Sequence, residues 1–346
     1  MKPIFVYPGC FAPPTIGHFR LAVRASEVCP ELTIVCSTNK EKDGTRWYSE
    51  EECKVMWQHY HLPANVKVKT FTEYAQENFD FKHIVMVRGV RDENDLKNEK
   101  RVMRLNKEMF GIDKIFYILA EEEFANISAS RVRQAAQELD FQTLSQCIPP
   151  AIITILLKRV LSAKNLFMVV GRPGSGKSTF LKMLSEINME NIHVNTDQIS
   201  RAIRPLIKEK FGAETDLINL AIERGPELTA FIAPKWFALL AAELKTVKAN
   251  SNIFLEIPYG LQSDKSLYCY LGHDILYIGC NKSENEKRLT ERGDKLHQRF
   301  IMTIPDQTES MIIAEKHGLN LFVVDTGGNL CQLRRRAKNF LKKIKV

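Results

Sequence analysis

Leu166-Phe167-Met168-Val169-Val170 runs straight into Gly171-Arg172-Pro173-Gly174-Ser175-Gly176-Lys177-Ser178-Thr179, and a helical pattern over Phe180–Leu184 follows. An apolar run, a glycine-rich turn of the form G-x-x-x-x-G-K-[ST] and a helix start make a strand–loop–helix unit. The backbone N–H groups of such a loop cradle phosphate. Lys177 would bridge the β- and γ-phosphates of ATP and Ser178 would ligate Mg²⁺. Gly171, Gly174, Ser175, Gly176 and Thr179 complete the ATP-binding loop. This stretch predicts phosphoryl transfer on an α/β scaffold.

The same alternation extends in both directions. Apolar, β-branched-rich runs recur between helical patterns at Ile4–Tyr7, Leu32–Cys36, Ile84–Val87 and Ile115–Leu119, then at Leu166–Val170, Ile192–Asn195, Ile253–Ile257, Ile275–Gly279 and Leu321–Val324. Short runs apolar on both faces predict parallel sheets covered by helices. Two such series predict an α/β protein of two doubly wound parallel-sheet domains, 1–163 and 164–346. Residues 141–161 read as helical around Pro149-Pro150. Ser162-Ala163-Lys164-Asn165 is the short polar break between the halves.

The chain has 346 residues, 45% hydrophobic and 26% charged, enough for two domains that each bury a core. No apolar run approaches the roughly 20 residues needed to cross a bilayer, so no membrane partner is expected. Eight cysteines lack metal-ligand spacing, and the N-terminus enters a strand at once. Reduced thiols in the cytoplasm are therefore expected. The net charge of +8 suits polyanionic partners. No basic stripe with interleaved aromatics points to nucleic acid. Part of the surplus, Arg334-Arg335-Arg336 and Lys342-Lys343-Ile344-Lys345, reads as the solvated face of a terminal helix. Leu330, Leu333, Phe340, Leu341 and Ile344 form its apolar side.

The first half carries a second, divided signature: Pro8-Gly9-Cys10-Phe11-Ala12-Pro13-Pro14-Thr15-Ile16-Gly17-His18, then Ile127-Ser128-Ala129-Ser130-Arg131-Val132-Arg133. Gly9 and Gly17 let backbone approach a ligand, and the helix start near Thr15 presents N–H groups to phosphate. His18 lies in that first turn, although Thr15 as a plain helix cap beside an exposed histidine would look the same. Arg88-Gly89-Val90-Arg91 follows Ile84–Val87 and sets two guanidinium groups at a strand's carboxyl end, where open α/β sheets bind ligands.

These motifs, in this order, resemble the HxGH/TxGH nucleotidyltransferases, and Arg88 to Leu96 with Glu99, Arg104 and Asn106 resembles phosphopantetheine adenylyltransferase. The likeness covers about residues 1–160. It implies a Rossmann-like domain that joins 4′-phosphopantetheine to the α-phosphorus of ATP and releases pyrophosphate. It also implies catalytic roles for His18, Lys42 (or Lys40 in a shifted register) and Arg91, with substrate contacts at Cys10, Lys42, Tyr74 and Arg88. ATP contacts would be Phe11, Thr15, Gly17, His18, Gly89, Arg91, Glu99, Ile127, Ser128 and Ser130. Self-association through this domain is compatible with the resemblance. The family usually has Thr or Ser at Cys10 and Asp at Ala12. A thiol is a weaker donor than a hydroxyl.

The second half resembles dephospho-coenzyme A kinase. The likeness rests on the phosphate loop, His193 to Asp197 with Arg201, Leu255-Glu256-Ile257-Pro258, Arg299 to Pro305 with Gln307, and Phe322 to Gly328. It implies dephospho-CoA as substrate, Asp197 as catalytic base beside Lys177, Arg201 as a substrate contact, Glu256 with Ser178 at the metal, and Arg292 on ATP. Asp197 also reads as the cap of a helix beginning near Gln198, which is compatible with the base role. Lys287, Arg288, Arg292 and Arg299 suit a lid or are solvated charges. About residues 205–250 match poorly and are expected to be helical. Together the halves imply consecutive adenylylation and phosphorylation. The rival plans are a nicotinamide-nucleotide adenylyltransferase fused to a ribosylnicotinamide kinase, or one active and one sensing site.

Overall fold

Strands β1 (Ile4–Gly9), β2 (Leu32–Cys36), β3 (Val66–Thr70), β4 (Ile84–Val90) and β5 (Lys114–Leu119) form a five-stranded sheet in the order β3-β2-β1-β4-β5. Every pairing in it is parallel. The computed structural model describes residues 3–38, 47–77, 83–212, 217–257, 273–293, 306–316 and 318–344. All five residues of β2 are buried, as a continuous apolar run between two helical layers requires. The helix Ile16–Val28 turns Leu21, Ala22 and Ala25 inward and is capped by Thr15.

Strand β3 is missing from the sequence reading for a physical reason. It is Val-Lys-Val-Lys-Thr, pairs only with β2 among the described residues, and its alternation reads as half-solvated. Lys67 meets Glu31 at 2.7 Å and Lys69 meets Glu77. Charged lysines on an edge strand also discourage pairing with another chain.

The second sheet comprises β6 (Asn165–Val170), β7 (Asn191–Asn195), β8 (Asn252–Glu256), β9 (Asp274–Gly279) and β10 (Asn320–Asp325), in the order β10-β9-β6-β8-β7. It too is parallel throughout. Its register is pinned by asparagines at the strand starts. Asn165 Nδ2 donates to Asn252 Oδ1 at 2.9 Å, and Asn252 Nδ2 donates to Asn191 Oδ1 at 2.8 Å. A one-residue slip would unpair this buried ladder and turn the apolar faces outward. One face carries the helices Lys177–Ile187 and Leu330–Lys343, with Phe167, Phe180, Phe254 and Phe340 packed in the same core. Burying each such ring stabilises by about 1.5–3 kcal/mol.

The chain divides into two compact units, one of residues 1–135 and 146–152, the other of 136–145 and 153–346. The helical reading of 141–161 resolves into the helices Phe141–Cys147 and Pro150–Val160, with proline at the first helical position. The poorly matching middle is helical over Thr196–Phe211 and Leu217–Leu244, the latter broken at Arg224 (φ −131°, ψ 32°). In the terminal helix Leu333, Ala337, Phe340 and Leu341 are buried, but Leu330 is 68% exposed, because it sits at the first position and points away from the core. Among the described residues no helix is long and apolar enough to cross a membrane.

Candidate functional site

In the first unit the carboxyl ends of β1 and β4, between which the strand order reverses, open onto a cavity of about 1110 Å³. Ligands bind at such switch points. Cys10, Phe11, Gly17, His18, Arg88, Gly89, Arg91, Glu99, Ile127, Ser128 and Ser130 all line it. Thr15 lies fully buried beneath this wall, and its side chain accepts from the backbone N–H of His18 at 3.4 Å as the helix cap. In return His18 Nδ1 accepts from the Thr15 backbone N–H at 3.0 Å. That N–H can only donate, so Nδ1 carries no proton and the neutral ring keeps its proton on Nε2. His18 is half-buried rather than exposed, with Phe11 edge-on at 5.2 Å. Burial, reinforced by the charges of Arg91 and Arg88, pushes its pKa down to about 4. The histidine is a neutral N–H donor at pH 7.

Arg88 spans the switch point. Its Nη1 donates to the Pro8 carbonyl at 3.0 Å, while Nε and Nη2 hold both oxygens of Glu99 at 2.8 and 2.6 Å. Glu99 is buried, so the bidentate pair fixes the guanidinium plane. Arg91 is held at the rim by Asp95, at 2.6 and 3.0 Å. Ser128 Oγ accepts from the Arg131 N–H at 3.2 Å and lies 3.1 Å from Ser130 Oγ, at the start of the helix Ala129–Glu138.

The glycines divide by role. A Cβ on Gly9 would lie 2.7 Å from the Phe11 ring, so its space belongs to the protein's own aromatic side chain. On Gly17, which lines the cavity, it would meet only ordinary contacts of 3.6 Å or more, so that position has room for a side chain. Tyr74 is packed in the core with Val6, Val35, Ile84 and Met86 and does not line the cavity. Lys42 and its rival Lys40 lie outside the described residues.

Sequence reasoning missed Arg20, Arg24 and Arg101, which line the cavity together with Arg133 of the second signature. Arg20 lies 3.2 Å from Glu121 and over the Phe124 ring, and Arg133 donates to the Ala12 carbonyl at 2.7 Å. The spacing Gly17, Arg20, Arg24 puts three residues on one helix face and could have found two of them. With Arg88 and Arg91 the cavity has a strongly positive lining suited to a polyphosphate.

In the second unit Gly171, Gly174 and Gly176 have φ of +149°, +77° and +88°, the positive values that glycine tolerates. A Cβ on Gly171 would lie 2.0 Å from the Ile278 carbonyl. Gly176 caps the helix Lys177–Ile187, whose start faces the loop. Lys177 is buried, and its Nζ donates to the carbonyls of Gly171 and Arg172 at 2.9 and 3.2 Å. Burial lowers its pKa, against the opposing pull of Glu256 and Asp197. Ser175 is buried, while Ser178 and Thr179 are on the exposed side of the helix start.

Glu256 closes β8 beside the loop. Ser178 Oγ donates to it at 3.3 Å, and His193 Nε2 lies 2.8 Å from its Oε2. Burial raises the carboxyl pKa, but the His193 hydrogen bond and the Lys177 charge outweigh this and hold Glu256 below its ordinary value. A hydroxyl and an ionised carboxylate side by side are hard oxygen donors of the kind Mg²⁺ takes, so Ser178 and Glu256 fit the metal role expected of them.

Asp197 is exposed in the first turn of the helix Thr196–Phe211. The helix cap is Asn195, whose Oδ1 accepts from the Asp197 N–H at 2.9 Å. The capping alternative for Asp197 is thereby corrected: its carboxylate is not used as the cap. Arg201 and Arg292 are exposed. Arg288 turns inward and donates to the carbonyls of Gly174 and Thr326 at 3.4 and 3.1 Å, bracing the loop rather than facing solvent. Arg299 and Pro258 lie outside the described residues.

Residues 6–135 match the cytidylyltransferase-like family model. A phosphopantetheine adenylyltransferase of Rhodopirellula baltica is 33% identical over 158 residues, covering 44% of this chain and 86% of that protein. Another, from Leptospira biflexa, is 27% identical over 163 residues, covering 46% and 98%. A crystal structure of NadR protein in complex with NR spans 100% of this chain and 96% of its own at 15% identity, but with a TM-score of 0.34 the likeness is too loose to bear on function. Fold and cavity together define the first unit as a nucleotidyltransferase of the cytidylyltransferase-like class. Through its first half, the chain belongs to the phosphopantetheine adenylyltransferase family.

Proposed function

We propose that the chain, taken as domains 1–163 and 164–346, carries out the last two steps of building coenzyme A. In the first, a 4′-phosphate oxygen of phosphopantetheine attacks the α-phosphorus of ATP in line. The new P–O bond forms as the α–β bridging bond breaks, and pyrophosphate leaves with the electron pair. No covalent enzyme intermediate is needed, so the protein's work is positioning and charge stabilisation.

His18 donates its Nε2–H to an α-phosphate oxygen as charge builds, and Arg88, aimed by Glu99, clamps the attacking phosphate. Arg91, Ser128, Ser130 and the helix start at Thr15 hold the triphosphate of ATP. Val102, Leu105 and Met109 give the cavity an apolar wall that suits the pantetheine arm. The single observation that carries this acceptor is the 33% identity to a phosphopantetheine adenylyltransferase.

In the second step the ribose 3′-hydroxyl of dephospho-CoA attacks the γ-phosphorus of ATP, the β–γ bridging P–O bond breaks, and ADP leaves with the electron pair. Asp197 takes the hydroxyl proton, and Lys177 with the loop N–H groups stabilises the transferring phosphoryl. Arg201 would contact the substrate and Arg292 the ATP. Ser178 and Glu256 would hold Mg²⁺, which would supply charge neutralisation for the phosphates of the nucleotide. The loop conformation of Gly171–Ser178 supports this half of the reading.

The test is pyrophosphate release by the purified full-length protein with Mg-ATP and either phosphopantetheine or nicotinamide mononucleotide. Turnover with phosphopantetheine is expected. Turnover with nicotinamide mononucleotide alone would replace this reading with the rival fusion.

A further inference from the structure

We infer that His193 is a positioning residue of the second site, holding Glu256 where it faces Ser178 and a cation on bound nucleotide. The inference rests on reading Gly171–Ser178 as a nucleoside triphosphate loop.

Three contacts fix Glu256 from separate elements. The Thr196 hydroxyl donates to its backbone carbonyl at 2.5 Å, Ser178 Oγ meets Oε1 at 3.3 Å, and His193 Nε2 meets Oε2 at 2.8 Å. An ionised carboxylate only accepts, so the His193 Nε2 carries the proton in this bond. His193 lies in β7 and Glu256 at the end of β8, neighbouring strands, so the donor is delivered by rigid sheet.

What the bond would prevent follows from the charge beside it. Lys177 is an adjacent buried cation whose Nζ donates to the Gly171 and Arg172 carbonyls. Freed from His193, the carboxylate could rotate onto that ammonium. An ion pair there would withdraw Lys177 from phosphate and Glu256 from the cation together. His193 keeps these opposite charges apart, ready for different oxygens of one ligand. No part of the loop motif or of the strand run into Asp197 assigns it this role.

The experiment titrates ATP into full-length wild type, His193→Leu and His193→Gln by calorimetry, with Mg²⁺ or with EDTA. The second-site component is the one absent from Lys177→Ala. His193→Leu is expected to lose roughly 10- to 100-fold of the Mg²⁺-dependent gain in affinity, the usual effect of removing a partner behind a metal ligand, with a smaller loss in EDTA, where only the Lys177–phosphate contact is at stake. His193→Gln, whose amide N–H can still donate to the carboxylate, should stay within a few-fold of wild type. An unchanged Mg²⁺ gain in His193→Leu would overturn the inference. So would equal losses in both variants with and without Mg²⁺, the mark of a merely structural role. A wild type with no Lys177-dependent component would instead remove the nucleotide-loop reading, and the inference with it.

Discussion

The backbone N–H of Thr15 donates to His18 Nδ1 at 3.0 Å, and the Thr15 side chain accepts from the His18 N–H at 3.4 Å. One residue thus caps the helix and selects the tautomer of the side chain three positions on. With its pKa at about 4 rather than the ordinary 6.5, His18 should stay neutral through the physiological range. Nitrogen-detected NMR is expected to show a protonated Nε2 and a bare Nδ1 from pH 7.5 down to about 5.

The sign of the linked stability follows. Above about pH 6.5 His18 is neutral folded or unfolded and contributes no pH dependence. Between pH 6.5 and about 4 the unfolded chain takes up a proton that the folded chain refuses, so His18 lowers stability as pH falls through that window. His18→Gln should flatten that part of the melting-temperature profile; an unchanged slope would place the effect elsewhere.

Arg88 and Glu99 form a two-pronged pair at 2.8 and 2.6 Å, and Glu99 is buried. Glu99→Gln keeps the shape but removes the charge that fixes the guanidinium. A charge-assisted hydrogen bond is worth about 1.5–3 kcal/mol, so the KM for phosphopantetheine should rise roughly 10- to 100-fold. An unchanged KM would mean that Arg88 is oriented without its partner.

Cys10 lines the cavity where the family usually places a hydroxyl. Cys10→Thr restores the stronger donor and should tighten phosphopantetheine by about 2- to 10-fold, the span of one neutral hydrogen bond. Weaker binding would show that the thiol makes a contact of its own.

The two sites sit on separate sheets, so their chemistries should separate. His18→Ala should cost adenylyl transfer about 10²- to 10³-fold, the loss typical of one stabilising donor, and spare phosphorylation of added dephospho-CoA. Lys177→Ala should do the reverse. Loss of both activities from either substitution would contradict independent sites.

Much of this was legible in the chain because the chemistry sits at strand ends. Apolar runs such as Leu32–Cys36 and Leu166–Val170 announce buried parallel strands, and glycine-rich turns announce phosphate loops. Val66–Thr70 escaped because an edge strand wears lysines on its open side. The holding roles of Arg288 and His193 escaped because they lie in distant partners, Thr326 with the Gly174 carbonyl and Glu256, and pairings across many residues leave no local spacing. Arg20 and Arg24 were within reach through the helix period from Gly17. Tyr74 shows the opposite case, a polar aromatic whose place in the core is set by packing that no short motif encodes.

The most direct measurement incubates the full-length protein with phosphopantetheine and Mg-ATP and follows the products by mass. Dephospho-CoA should appear with pyrophosphate and then give way to coenzyme A. Phosphopantetheine left unchanged by a protein that adenylylates nicotinamide mononucleotide would contradict the account.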